Sequence, residues 1–132
     1  MTTGEESGVA RPDALPAEAP VVHRNLRVRV GARELTTLTH DHLNYWLSLL
    51  RYVRGGPFMT VARADDGRGA FIQVYRDSDT DYALEVHSGA AGAGYLAATL
   101  HDVQEVGQLI WDWLENDRQR LDAIPWKQHP LP

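Results

Sequence analysis

The sequence predicts an α+β domain: an antiparallel sheet of about five strands with two helices packed on it, in the order β-α-β-β-β-β-α. Three observations predict it. From Phe58 to Thr99 the apolar residues mostly alternate, which is the period of a strand. From Asp102 to Leu114 they recur every three or four residues, which is the period of a helix. An earlier helical stretch, Thr39 to Val53, runs into Gly55-Gly56-Pro57, a left-handed stop followed by a block.

Taken in order, residues 1–20 read as a disordered tail. Gly, Pro, Glu and Ala dominate there, and few large side chains are available to offset the entropy of ordering. Residues 21–132 form one domain, as the length of 132 residues suggests. Val21 to Val30 is the first strand, with Leu26, Val28 and Val30 on one face and Asn25, Arg27 and Arg29 on the other. Gly31-Ala32 marks a bend, after which Arg33 to Leu38 continues extended.

In the first helix, capped by Thr39 or Asp41, the stripe Leu43, Trp46, Leu47, Leu50 and Val53 faces the core. A second stripe, Tyr45, Leu49 and Tyr52, needs a cover of its own. Phe58 to Ala64 and Gly69 to Arg76 make a hairpin around Asp65-Asp66-Gly67-Arg68-Gly69. A second acidic turn, Asp77 to Asp81, leads into the strand Tyr82 to His87. The small-residue loop Ser88 to Gly94 leads into a strand from Tyr95 to Thr99. The second helix, about Val103 to Asp117, starts with the capping pair Asp102 and Glu105 and buries Val103, Val106, Leu109, Ile110, Trp113 and Leu114. Trp111 lies off that stripe. Leu121, Ile124 and Trp126 pin the C-terminal segment.

Composition narrows the function. The chain has no cysteine, which excludes disulfides and thiolate metal sites. There is no apolar h-region near the N-terminus and no apolar run approaching 18 residues. The expectation is therefore a cytoplasmic protein with no membrane partner. Net charge is −5; residues 61–132 carry six Lys or Arg against twelve Asp or Glu. That balance disfavours nucleic acid, which needs a positive footprint, and suits a basic protein partner. Lys127 is the only lysine, and with abundant Ala, Gly and Arg this hints at a GC-rich bacterial genome.

No motif carries recognisable catalysis, and no cofactor is expected. His40-Asp41-His42 places two histidines two apart at a helix start, where they diverge instead of sharing a metal. Asp77-Ser78-Asp79-Thr80-Asp81 opens like a calcium loop, but Tyr82 and Ser88 occupy the positions that need Gly and Glu. Ser88 to Gly94 lacks the Gly-Lys-Ser/Thr of a phosphate loop. Arg24, Arg27, Arg29 and Arg33 form the basic cluster, read as guards against edge pairing of an outer strand.

The main lead is a partner surface. Tyr45, Leu49, Tyr52 and Trp111 supply apolar anchors, while Asp77, Asp79, Asp81 and Glu85 supply charge complementary to a basic partner. Internal cover of the aromatic stripe is the alternative. A homodimer joined through helix 39–53 is a second reading. A third places a small molecule between sheet and helices, near Tyr75, His87 and His101.

Phe58-x-x-Val61-x-Arg63-Ala64-Asp65, Phe71-Ile72-Gln73-Val74, Tyr82-Ala83-Leu84-Glu85, Tyr95-x-Ala97, the Asp102/Val106 helix and Trp113 followed by Trp126 resemble a group of small actinobacterial proteins. These in turn resemble immunity proteins of polymorphic toxin systems, particularly the Imm family numbered one. The likeness spans about residues 57–128, roughly half the chain. It implies a cytoplasmic antitoxin-like binder with no catalytic residues and a Trp-centred final strand from Ile124-Pro125-Trp126; with the net charge, the partner expected is a protein such as a basic toxin domain.

Overall fold

The computed structural model describes residues 19–65, 67–90 and 92–130. The expected N-terminal tail falls almost entirely outside them. The fold is α+β with a wholly antiparallel main sheet, as its alternation predicts, and it has more strands than the five expected.

The first expected strand is two. Val22–His23 (β1) and Leu26–Val30 (β2) are separated at Asn25, whose φ of 57° turns the chain. β1 leaves the main sheet and pairs with Leu38–Thr39 (β4). Arg33–Leu35 (β3) folds back on β2, with Arg29 opposite Glu34. β2 is therefore an interior strand, and its arginines do not guard an edge. The bend at Gly31-Ala32 is a hairpin turn.

Thr39 caps the first helix, His40–Ser48 (α1), its hydroxyl accepting from the His42 N–H at 3.1 Å. The α-helix ends sooner than expected. Leu50–Tyr52 is a 3₁₀ turn, tightened ahead of Gly55 and Gly56, which both hold positive φ. The hairpin Phe58–Arg63 (β5) and Phe71–Arg76 (β6) follows, then Tyr82–His87 (β7) and Tyr95–Leu100 (β8). Asp102 caps Val103–Glu115 (α2), accepting from the Gln104 N–H at 2.9 Å. A short helix, Gln119–Asp122 (α3), leads to a last strand, Lys127–His129 (β9), which pairs with β8. Trp126 holds that return by donating its indole N–H to the Leu121 carbonyl at 2.7 Å.

The seven strands run β9-β8-β7-β6-β5-β2-β3. Alternation puts Leu26, Val28, Met59, Val61, Ile72 and Val74 on one face, all buried. Both long helices lie on that face: Leu43, Leu47, Val106, Leu109 and Ile110 join the same core. The helices meet closely at Gly107, where a Cβ would stand 2.2 Å from the Asn44 side-chain oxygen. Arg63 ties α2 to the sheet. Its guanidinium donates to the carbonyls of Trp113 and Leu114 at 3.1 and 2.9 Å and lies over the Trp113 ring.

Asp112 is the one charged residue in the core among the described residues. Its carboxylate accepts two hydrogen bonds from Arg120, at 2.8 and 3.0 Å, and one from Gln108 at 2.8 Å. Removing the cation leaves a buried charge with one neutral partner. We expect Arg120→Ala to cost about 2 kcal/mol in urea unfolding. Arg118→Ala, which breaks the exposed pair with Asp122, should cost less than about 0.5 kcal/mol.

Candidate functional site

The aromatic stripe of the first helix opens onto a groove. The change from α to 3₁₀ at Leu49 turns the end of the segment toward the β2–β3 hairpin, and the two frame a concavity of about 510 Å³. Val30, Leu49 and Val53 supply apolar lining, Trp46 and Tyr52 the rings, and Arg33 and Arg54 the charge. Tyr45 and Tyr52 remain 55% and 72% exposed, large rings that the fold does not cover.

The groove is positioned by backbone. The Ala32 N–H donates to the Arg54 carbonyl at 2.9 Å, and the Gly31 N–H to the Phe58 carbonyl at 3.1 Å. Gly31 is buried with φ 59°, and a Cβ on it would lie 1.9 Å from the Arg54 oxygen. Only glycine allows the two chain segments to approach so closely. Above this floor, Arg33 stacks 5.3 Å from the Trp46 centroid and Arg51 5.6 Å from that of Tyr52. Trp46 donates its indole N–H to His42 Nε2 at 3.0 Å and meets Tyr45 edge-on. Trp46 is thus held in place, and guanidinium groups stand beside it and beside Tyr52.

The other expected anchor lies elsewhere. Trp111 is half-buried on α2, stacked on His40 with centroids 4.9 Å apart and met edge-on by His23. β1 and the start of α1 cover it, as internal cover of an off-stripe ring requires. It does not join Tyr45, Leu49 and Tyr52. His40 and His42 are engaged by Trp111 and Trp46 respectively. Among the described residues no three His, Asp or Glu side chains are grouped as a metal ion needs.

The acidic turn is largely matched from within. Asp79 accepts from both Arg51, at 2.9 Å, and Arg76. Asp81 bonds to His101 at 2.8 Å. Asp77 is exposed and closes the turn through its backbone N–H to the Asp81 carbonyl. Glu85 is apart from them, on the sheet face away from the helices, bonded to His87 at 3.0 Å. The expected pocket of Tyr75, His87 and His101 is not assembled. Tyr75 and His87 point away from the helices, because both alternate with core residues. They also sit at different places along the strands, opposite Ala83 and Phe71. His101 follows β8 and joins the acidic turn instead.

One surface was missed in the sequence. On the face opposite the helices, Phe71, His87, Tyr95 and His129 stack across four strands, with centroids 4.1, 4.6 and 5.1 Å apart in turn. The alternation that announces a core face also names its reverse, so the signal was present; the pairing of β9 that completes the ladder was not.

No protein-family model matches this chain, and no curated protein or solved structure matches it. The likeness of residues 57–128 to immunity proteins rests on those residues alone.

The floor of the groove gives a direct check. Gly31→Ala should cost at least about 2 kcal/mol in urea unfolding, through a left-handed backbone and a backbone overlap. Gly67→Ala, where a Cβ meets nothing, should change stability by less than about 0.5 kcal/mol.

Proposed function

We propose that this protein is a non-catalytic binding module whose groove, between the first helical segment and the β2–β3 turn, takes an acidic segment of a partner protein carrying an apolar anchor. The observation that supports this reading is the coincidence of an exposed tyrosine, Tyr52, and the Trp46 ring with Arg33 and Arg54 around one apolar concavity. Exposed rings beside guanidinium groups are the residue types that dominate binding energy at protein interfaces. The Arg54 guanidinium makes no hydrogen bond or ion pair with a described residue, and the Arg33 guanidinium is engaged only by the Trp46 ring. Their charge is available to carboxylates.

The partner chemistry differs from that expected of the whole chain. A basic partner would need the acidic turn as its counterpart, but Asp79 already holds two cations of this chain, Arg51 and Arg76. The chain is acidic overall, but its exposed aromatic patch is locally basic, and that local charge supports an acidic partner. An immunity role would be one instance of such binding. The proposal names partner chemistry, not a toxin.

An acidic peptide with Leu and Phe anchors, titrated calorimetrically, tests it. Binding should weaken with added salt and fall about tenfold in Tyr52→Ala and in Arg54→Glu. Tighter binding of the same peptide with Lys in place of its Glu residues, or no effect of either substitution, would overturn the reading.

A further inference from the structure

The face of the sheet opposite the helices has the pattern of an interface. No described helix packs on it, and its four central strands, β5 to β8, direct alternate side chains to that side. Among those side chains only Glu85 carries a formal charge; the rest include Phe58, Phe71, Tyr75 and Tyr95, with Tyr75 44% exposed. A solvated antiparallel face ordinarily alternates polar and charged groups outward. Here the formal charges other than Glu85 sit at the flanks, on β2 and β3 at one side and β9 at the other.

The order of those charges is specific. One row of directly opposed residues crosses the sheet: Lys127, Ala97, Glu85, Gln73, Thr60, Arg29 and Glu34. About the midpoint between β5 and β6, Glu85 and Arg29 are equidistant and opposite in sign. A two-fold axis parallel to the strands at that midpoint lays β2 of one copy over β7 of the other. Arg29 then faces Glu85 twice across the interface, and Glu34 lies over Ala97, one strand from Lys127. The neighbouring row obeys the same operation: the large Phe71 faces the small Ala62. Ala62 lines a concavity of about 480 Å³ shared with Arg27, Arg29 and Thr60. The alternative axis, perpendicular to the strands, would stack Glu85 on Glu85 and Arg29 on Arg29.

We propose that this face is a self-complementary docking surface for a second copy of the chain, closed by reciprocal Arg29–Glu85 pairs. Six facing strands about 4.8 Å apart, the longest about 20 Å, overlap over roughly 450 Å² in projection, the scale of a reversible interface rather than an obligate one. Aligned sheets pack about 10 Å apart and about 30° from parallel, which displaces residues one and a half strands from the axis by only a few Å. That offset is within reach of an arginine. The groove at α1 stays free in this arrangement, so the inference does not rest on its proposed occupant.

Sedimentation velocity on the full chain tests it. The wild type should show a concentration-dependent monomer–dimer equilibrium, and Arg29→Glu or Glu85→Arg alone should weaken it at least about tenfold. An equimolar mixture of the two single variants should dimerise again, because each copy then offers the other two opposite charges. That recovery also shows that neither variant is misfolded. A wild type that is strictly monomeric at about 100 μM, single variants that dimerise as well as the wild type, or a mixture that stays monomeric would each overturn the proposal.

Discussion

Every large buried side chain of the sheet lies on one of its faces. That one-sidedness is a consequence of period: successive strand residues point to opposite sides, so an unbroken alternation commits the fully buried aliphatic groups to a single layer. Val28 and Val30 meet Val61 and Met59, which meet Ile72 and Val74, with no change of face across the pairings. Both helices must then crowd onto the same side, and they do so by close approach at Gly107. The guanidinium of Arg63 and the buried carboxylate of Asp112 fix how the second helix sits. The opposite face is left to serve some other purpose.

Crowding also shapes the groove. A helix continued regularly through Leu49 to Val53 would keep one stripe in register with the core. The 3₁₀ turn breaks that register, so Leu50 stays buried while Leu49 and Tyr52 turn toward the β2–β3 hairpin. The exposure of Tyr52 follows from a helix that gives way to a 3₁₀ turn ahead of Gly55 and Gly56.

Much of this was legible from residue order, for reasons that differ by element. The strand Tyr82–His87 matches its expected bounds because its own alternation defines it. Thr39 and Asp102 were legible as caps because their hydroxyl and carboxylate chemistry is local. β1, β3, β4 and β9 are two or three residues long, too short to show a period, and exist through pairing with distant partners. The left-handed Asn25 that divides the first strand gave no sign in an apolar pattern. The same distinction holds at the groove. Tyr45, Leu49 and Tyr52 were visible as a helical stripe, whereas Arg33 arrives from a hairpin that no local rule places beside Trp46. Acidity of the 77–81 turn was visible, but its neutralisation by Arg51 and Arg76 depends on tertiary contacts.

The two borders of the sheet are Arg33–Leu35 and Lys127–His129. Each is three residues long, and both carry cationic side chains, so neither offers a strand of another molecule much backbone to continue along. Growth by end-to-end strand addition, the route to fibres, is thereby blunted at both sides. Attachment to this molecule is steered to its broad surfaces, where geometry can close upon itself and stop.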